Sequence, residues 1–261
     1  MQPITIIIPC YNEAARISLD DYRAFLATEP IHLIFVNDGS TDNTINVLKH
    51  IRNDFPYQVS VLDLPQNCGK AFAVRAGVLN AAYTADTDII GFMDADLSTP
   101  LEEMVAFDYT FRRRNVDMVF GSRISRIGSR IDRFPYRHYF GRVIATVISL
   151  YLRIPIYDSQ CGAKFFRRDL AREMFQEPFI SRWLFDVELF KRIQQSGRDI
   201  QSCCWELPLD TWIEKGDSRL GMRDFLKLPF EFYRIFRHYR KPKPASNSTA
   251  VPSLSHTYIE S

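Results

Sequence analysis

DIIGFMDAD, residues 88–96, is a short apolar run that ends on two carboxylates one residue apart, Asp94 and Asp96. A run of this length with no polar alternation suits a strand buried on both faces, which then delivers its acids to solvent. The same pattern recurs on either side. Ile4–Ile8 is a β-branched run between Pro3 and Pro9, Ile31–Val36 leads into Asn37-Asp38-Gly39-Ser40, and Val59–Leu62 and Asp117–Phe120 are further short strands. The segments between them have helical character: Glu13–Leu26, Thr44–Ile51 with Thr41 or Asp42 as cap, and Lys70–Tyr83. A fourth helix opens at Ser98 or Thr99, with Pro100 in its first turn and Glu102 and Glu103 favourable beside it. Strands alternating with helices predict an α/β fold, a Rossmann-like, mostly parallel central sheet flanked by helices. Ligands of such sheets sit beyond the carboxyl ends of the strands. Asn12, Glu13, Asn37, Asp38, Asn67, Asp94 and Asp96 all fall at those ends.

The second half is less regular. Gly121–Pro135 carries Arg123, Arg126, Arg130 and Arg133 against Asp132 and reads as a mobile basic loop. A helix follows over Tyr139–Leu152, then a turn at Pro155. Gln160–Phe166 and Ser202–Leu209 read as strands, with a helix at Asp186–Gln195 between them. Gly221–Tyr239 is a last helix, aromatic and basic, and the polar stretch from Pro242 reads as a disordered tail. The expected organisation is one domain over 1–220, made of two halves (1–120 and 121–220), which the family resemblance below implies to be the donor and acceptor sides of a catalytic domain. The helix at 221–241 and the tail at 242–261 follow it.

A net charge of +2 gives no global reason to expect nucleic acid as a partner. The longest apolar-leaning run, Val143–Leu152 between Arg142 and Arg153, is well short of the ~20 residues of a spanning helix. Five cysteines, with Cys203 and Cys204 adjacent and no basic, apolar leader at Met1-Gln2-Pro3, suggest reduced thiols and a cytoplasmic setting.

Two carboxylates at a strand end can hold a hard divalent cation such as Mg²⁺ or Mn²⁺, which would neutralise a diphosphate. The bland alternative is an acidic capping loop. The arginines of 121–135 suit phosphate, which guanidinium groups bind bidentately, or form a solvated basic loop. Asp158 sits where it could orient an acceptor or a transferred sugar. Asp186 opens a helix, where a simple cap explains it; its other reading, as general base for a hydroxyl acceptor, is one that the family resemblance below implies. Trp183 and Trp212 could stack on sugar, although core packing is the more common fate of Trp. Phe225, Phe232 and Phe236 near one face of the last helix, with Lys227, Arg234, Arg237 and Arg240, suit either a membrane interface or packing on the domain.

Four segments in order, Ile7-Ile8-Pro9-Cys10-Tyr11-Asn12-Glu13, Val36–Thr44, Asn67-Cys68-Gly69-Lys70 and Met93-Asp94-Ala95-Asp96, resemble the family 2 glycosyltransferases of GT-A fold. The resemblance implies that Pro9, Tyr11 and Glu13 line a nucleoside pocket and that Asp38 binds nucleobase or ribose. It places Lys70 near base or diphosphate, Asp94 and Ala95 against the donor, and Asp94 and Asp96 on the metal. Gly121-Ser122-Arg123, Asp158–Phe166, Arg182–Glu188 and Trp212-Ile213-Glu214 are similar to the dolichyl-phosphate β-glucosyltransferase branch. That implies an inverting transfer of glucose from UDP-glucose to a polyprenyl phosphate at the cytosolic membrane face. Asp96, Asp158, Asp186 and Arg123 would be catalytic, and Arg130, Lys164, Arg182, Trp183 and Trp212 would meet the acceptor. Two other readings stay open: a soluble transferase adding sugar to a glycan hydroxyl, and a non-catalytic nucleotide-sugar-binding protein. A nucleotidyltransferase would want a glycine-rich basic segment after the first strand, and Pro9–Glu13 offers none.

Overall fold

Ile6, Ile7 and Ile8 are fully buried. Since successive side chains of a strand alternate in direction, this demands packing on both faces. The strand that holds them, β1 (Ile4–Cys10), lies inside a seven-stranded sheet. The computed structural model describes residues 3–215 and 222–240. After β1 come α1 (Leu19–Thr28), β2 (His32–Asp38), α2 (Thr44–Asp54), β3 (Val59–Leu64), α3 (Lys70–Thr84) and β4 (Ile89–Phe92). A 3₁₀ turn at Leu101–Glu103 leads into α4 (Met104–Arg113), followed by β5 (Met118–Ser122), β6 (Arg130–Asp132) and α5 (Pro135–Leu152). Then follow β7 (Lys164–Arg167), α6 (Arg168–Phe175), α7 (Phe185–Gln195), α8 (Ile200–Cys203), β8 (Cys204–Pro208), β9 (Thr211–Ile213) and α9 (Met222–Tyr239).

The sheet order is β3-β2-β1-β4-β7-β5-β8, parallel except for β7, which runs antiparallel to both β4 and β5. One core joins Ile6, Ile8, Leu33 and Phe35 to Tyr22 and Phe25 of α1, Leu48 of α2 and Phe107 of α4. The other joins Ile7, Ile34 and Val36 to α3, α6 and α7. A Cβ on Gly77 would stand 2.4 Å from Ile7 Cγ2, so glycine lets α3 lie close against β1. Cys10, Cys161, Cys203 and Cys204 are buried free thiols, placed like small apolar side chains.

Several boundaries depart from the sequence reading, each for a local reason. β1 continues through Pro9. Ile7 C=O accepts from Met93 N, so Pro9 faces the same edge two residues later, beyond the last pair Ile7↔Phe92. The missing proline N–H therefore costs no ladder bond. α1 starts at Leu19, not Glu13, capped by Ser18, which accepts from Asp21 N. Residues 12–14 are held away from helix by Asn12 at φ 50° and by bonds from Glu13 N to Thr44 Oγ1 and Ala14 N to Asp42 Oδ2. The basic loop is pinned: β6 within it pairs with β9, Ile131 opposite Trp212. The strand expected over 160–166 shortens to β7, and α6 was not foreseen. β7 and β8 enter the same sheet as β1–β4, so the expected donor and acceptor halves share one core.

α9 packs on the domain through Ile235, which is fully buried, and Phe232, whose ring meets Tyr151 at 5.0 Å. The side chains of Phe225 and Lys227 and the tail from residue 242 lie outside the described residues. Among the described residues no helix is long and apolar enough to cross a membrane.

Candidate active site

The carboxyl ends of β1, β2 and β4 converge on a loop cluster knitted by side-chain-to-backbone bonds. Asn12 Oδ1 accepts from Thr41 N at 2.8 Å, and Asn12 N donates to Ser40 Oγ. Asp38 is buried, and its two oxygens take Cys68 N and Gly69 N, each at 2.8 Å. Asp38 thus sets the loop before α3, with both oxygens already engaged. Gly69, at φ 94°, precedes Lys70 without a side-chain cap. Its bare Cα faces the aliphatic part of Arg182, which would lie 3.5 Å from any Cβ there.

Four carboxylate–cation pairs line this edge. Asp96 Oδ2 accepts from Arg16 Nη2 at 2.7 Å, and Asp96 Oδ1 accepts from Ser98 N. Asp94 Oδ1 accepts from Lys70 Nζ at 2.5 Å. Asp186 Oδ1 lies 2.7 Å from Lys164 Nζ, and Asp158 takes Arg123 in a two-point grip, Nε to Oδ2 at 2.6 Å and Nη2 to Oδ1 at 2.8 Å. Gly162 abuts the second of these pairs: a Cβ there would fall 2.0 Å from Asp94 Oδ2. Glu13 also pairs with Arg16, at 3.4 Å.

The pairs differ in burial and therefore in charge behaviour. The Asp94 and Asp96 side chains keep 39% and 20% of their exposure, so a ligand can reach them. Both offer hard oxygen donors, which Mg²⁺ or Mn²⁺ accept while keeping other positions for water and phosphate. Among the described residues no group of three or more His, Cys, Asp or Glu could hold a metal ion. The two acids therefore fit a cation whose remaining ligands come from elsewhere. Burial raises the Asp186 carboxyl above the usual range against the pull of Lys164 and Lys70. For Asp158 burial also works upward, but Arg123 overrides it and holds the acid down at about 2. Arg133, half-buried, has its proton affinity lowered by burial first and then by Arg123 beside it. No described carboxylate forms an ion pair with Arg133.

Asp158 makes a pH dependence explicit. Its folded value lies below the ordinary 3.8, so the pair's contribution is complete above that pH. It is lost as pH falls from 3.8 towards 2, and amounts to about 2 kcal/mol. Urea midpoints measured between pH 5 and pH 2.5 should fall more steeply for the wild type than for the Arg123→Gln, Asp158→Asn double variant.

The sequence-derived residues divide accordingly. Asp94, Asp96, Lys70, Arg123, Asp158 and Asp186 come together, with Arg182 and the half-buried Trp183 on the strap before α7. Pro9, Tyr11 and Glu13 lie at the end of β1 beside them. Lys164 is corrected: expected at the acceptor, it is fully buried and donates to Cys161 C=O at 2.5 Å as well as facing Asp186. β7 register places it opposite Phe92 and Phe120, under the acidic edge. Arg130 is exposed on β6 and pairs with Asp132 at 3.1 Å, outside the cluster. Ala95 is buried, its carbonyl taking Tyr22 Oη at 3.3 Å. Trp212 is buried in the core with Arg123 over its ring at 5.2 Å.

Sequence reading missed the supports. Arg16 sits in a segment read as helix. Glu206 accepts from Tyr157 N and Asp158 N at 3.0 and 2.7 Å and so aims Asp158. Glu103, read as a first-turn helix acid, instead holds Asp210 N and Thr211 N and shapes the approach to β9. Glu188, fully buried, takes Ile180 N, Ser181 N and Tyr239 Oη, while Ser181 Oγ reaches Glu231. One carboxylate thus fastens α9 to the strap that carries Arg182 and Trp183. The adjacency of two acids in Phe185-Asp186-Val187-Glu188 was the available signal.

A mostly parallel sheet with an acid pair closing β4 and basic partners around it defines a glycosyltransferase of GT-A fold. Glucosyl-3-phosphoglycerate synthase from Mycobacterium tuberculosis, solved with Mn²⁺ and UDP-glucose, superposes with a TM-score of 0.65 at 16% identity, covering 91% of this chain and 79% of that one. The mannosyltransferase PcManGT from Pyrobaculum calidifontis, solved with GDP-Man and Mn²⁺, gives a TM-score of 0.61 at 18% identity, covering 94% and 66%. At these identities the likeness is one of fold. The chain belongs to glycosyl transferase family 2, whose model matches residues 5–175. Among curated relatives, a dolichyl-phosphate beta-glucosyltransferase of Trichomonas vaginalis is 30% identical over 250 residues, 90% of this chain and 71% of that protein. The enzyme of that name from Saccharomyces cerevisiae is 28% identical over 241 residues, 84% and 69% of the two.

Proposed function

We propose that this enzyme transfers glucose from UDP-glucose to a polyprenyl or dolichyl phosphate with inversion at the anomeric carbon. The observation that carries the acceptor class is Arg133 beside Arg123. One guanidinium is locked to Asp158, and its neighbour forms no ion pair with a described carboxylate, feeling Asp158 and Glu214 only at longer range, next to the edge where the donor would lie. A phosphate is what such a pair binds. The names of the relatives supply glucose and dolichyl phosphate, and the mycobacterial complex supplies UDP-glucose as a donor that this fold accommodates.

Mg²⁺ or Mn²⁺ held by Asp94 and Asp96 would supply charge to the leaving diphosphate. Lys70 and Arg16, now on those acids, would add donors to the leaving diphosphate as charge develops there. Asp38 keeps the Cys68–Gly69 backbone in place, where the nucleoside would lie. A phosphate acceptor is already anionic at neutral pH, so its oxygen attacks C1 while the C1–O bond to UDP breaks. No protein base is needed. Asp186, turned to Lys164 inside the protein, fits that economy. Peripheral membrane contact has support from Phe230, Tyr233 and Phe236, exposed on α9 near Arg234 and Arg237. A second exposed row, Val143, Val147 and Leu150, runs along α5.

Radiolabelled UDP-glucose and GDP-mannose, each with polyprenyl phosphate in detergent, with and without Mn²⁺, test the reading. Metal-dependent glucosyl lipid from UDP-glucose alone is expected. Lipid product from GDP-mannose alone would overturn the donor, and slow sugar release without lipid product would overturn the acceptor.

A further inference from the structure

The C-terminal ends of α5, α7 and α9 meet around a cavity of about 590 Å³. It lies away from the acidic edge, and three cations stand in its wall: Arg153 after α5, Lys191 of α7 and Arg240 after α9. No described carboxylate forms an ion pair with any of them. Arg198, also in the wall, is occupied by Glu173 at 2.8 Å. Asp199, on the wall too, accepts from Gln201 N as the cap of α8.

Basic side chains often gather at helix C-termini to offset the macrodipole, so that explanation has to be weighed first. Each terminus carries about half a negative charge, roughly one and a half in all for three helices, against three full positive charges. The terminal carbonyls also have other partners. Gln194 Nε2 donates to Leu152 C=O at 2.7 Å, and Gln195 Nε2 to Tyr239 C=O at 3.5 Å. The cations are therefore in excess of what the helix ends use. Burial first, then Arg153, makes Lys191 easier to deprotonate than usual, as expected where like charges meet without an acid. Lys191 Nζ lies 4.6 Å over the Tyr151 ring, and the buried Tyr151 hydroxyl has no hydrogen-bond partner among the described residues.

We propose that this cavity is a second anion site, distinct from the donor edge, which takes a phosphate-bearing group through Arg153, Lys191 and Arg240. Its volume falls within the range of small-molecule sites and admits a phosphate ester with a small polyol. The ligand is either the headgroup of an anionic lipid or a soluble phosphate ester, and both offer the same chemistry. The inference rests on the cavity and its charges, not on the transfer reaction.

The test uses the full chain and the Arg153→Asn, Lys191→Gln, Arg240→Gln variant. Asparagine is chosen because residue 153 sits at φ 56°, which it tolerates. Two probes are applied at constant ionic strength: glycerol phosphate, read as a saturable shift in Tm, and vesicles of phosphatidylglycerol in phosphatidylcholine against phosphatidylcholine alone, read by flotation. The variant is expected to lose at least about tenfold in affinity for one or both probes while donor hydrolysis and unliganded Tm stay as in wild type. Loss confined to vesicles assigns a lipid headgroup, and loss confined to glycerol phosphate assigns a soluble ester. If the triple variant proves unstable, Lys191→Gln alone is measured in its place, with a weaker loss expected. Unchanged affinity for both probes in the folded variant would overturn the site.

Discussion

Replacing Asp94 by asparagine should lower transfer by about three orders of magnitude with little change in Tm. Several kcal/mol of transition-state stabilisation pass through a metal-held diphosphate, and each 1.36 kcal/mol is tenfold in rate. The stability term is small because the Asp94–Lys70 pair is part-exposed, 39% and 34% at the two side chains, and exposed pairs contribute little. Gly162→Ala provides the companion measurement. The added Cβ would stand 2.0 Å from Asp94 Oδ2, so the carboxylate must move although its charge remains. A comparable loss in kcat, with nucleotide-dependent Mn²⁺ affinity weakened in both variants, is the expected pattern. Full activity of Asp94→Asn would remove the acid pair from the mechanism.

The buried pair behind the site should respond in the opposite manner. Lys164→Met strands Asp186 in the interior, and breaking a buried pair by removing one partner costs about 3–5 kcal/mol. For a chain of this size that lowers Tm by roughly 10 °C. Adding Asp186→Leu should recover most of the loss, since apolar replacements of both partners are often neutral. If the pair positions Lys70 and Asp94, the double variant stays stable yet slow. If it is only structural, activity returns with stability. Thermal melts and kcat on the wild type and these two variants decide the matter.

The first half of the chain was legible because its strands are short, largely apolar and ended by polar residues, a pattern that survives without any tertiary information. DIIGFMDAD reads as a strand closing on two acids, and it folds so. What escaped was set by long-range partners. Lys164 is polar in sequence and lies at full burial because β7 enters antiparallel and sets it under Asp186. Arg16 belongs to a segment with helical composition, kept out of helix by bonds to Thr44 and Asp42, 28 to 31 residues away. The 121–135 loop looked mobile because its neighbour β9 is three residues long and lies some eighty positions on. Trp212 took the commoner fate of its residue type.

The Glu188 anchorage has a thermodynamic consequence. Its carboxylate holds the strap at Ile180–Ser181 and the far end of α9 at once, so the two segments share one set of bonds. A ligand or surface that held α9 in this position would therefore also hold the strap, and by reciprocity a ligand that held the strap would strengthen the grip on α9 by the same factor.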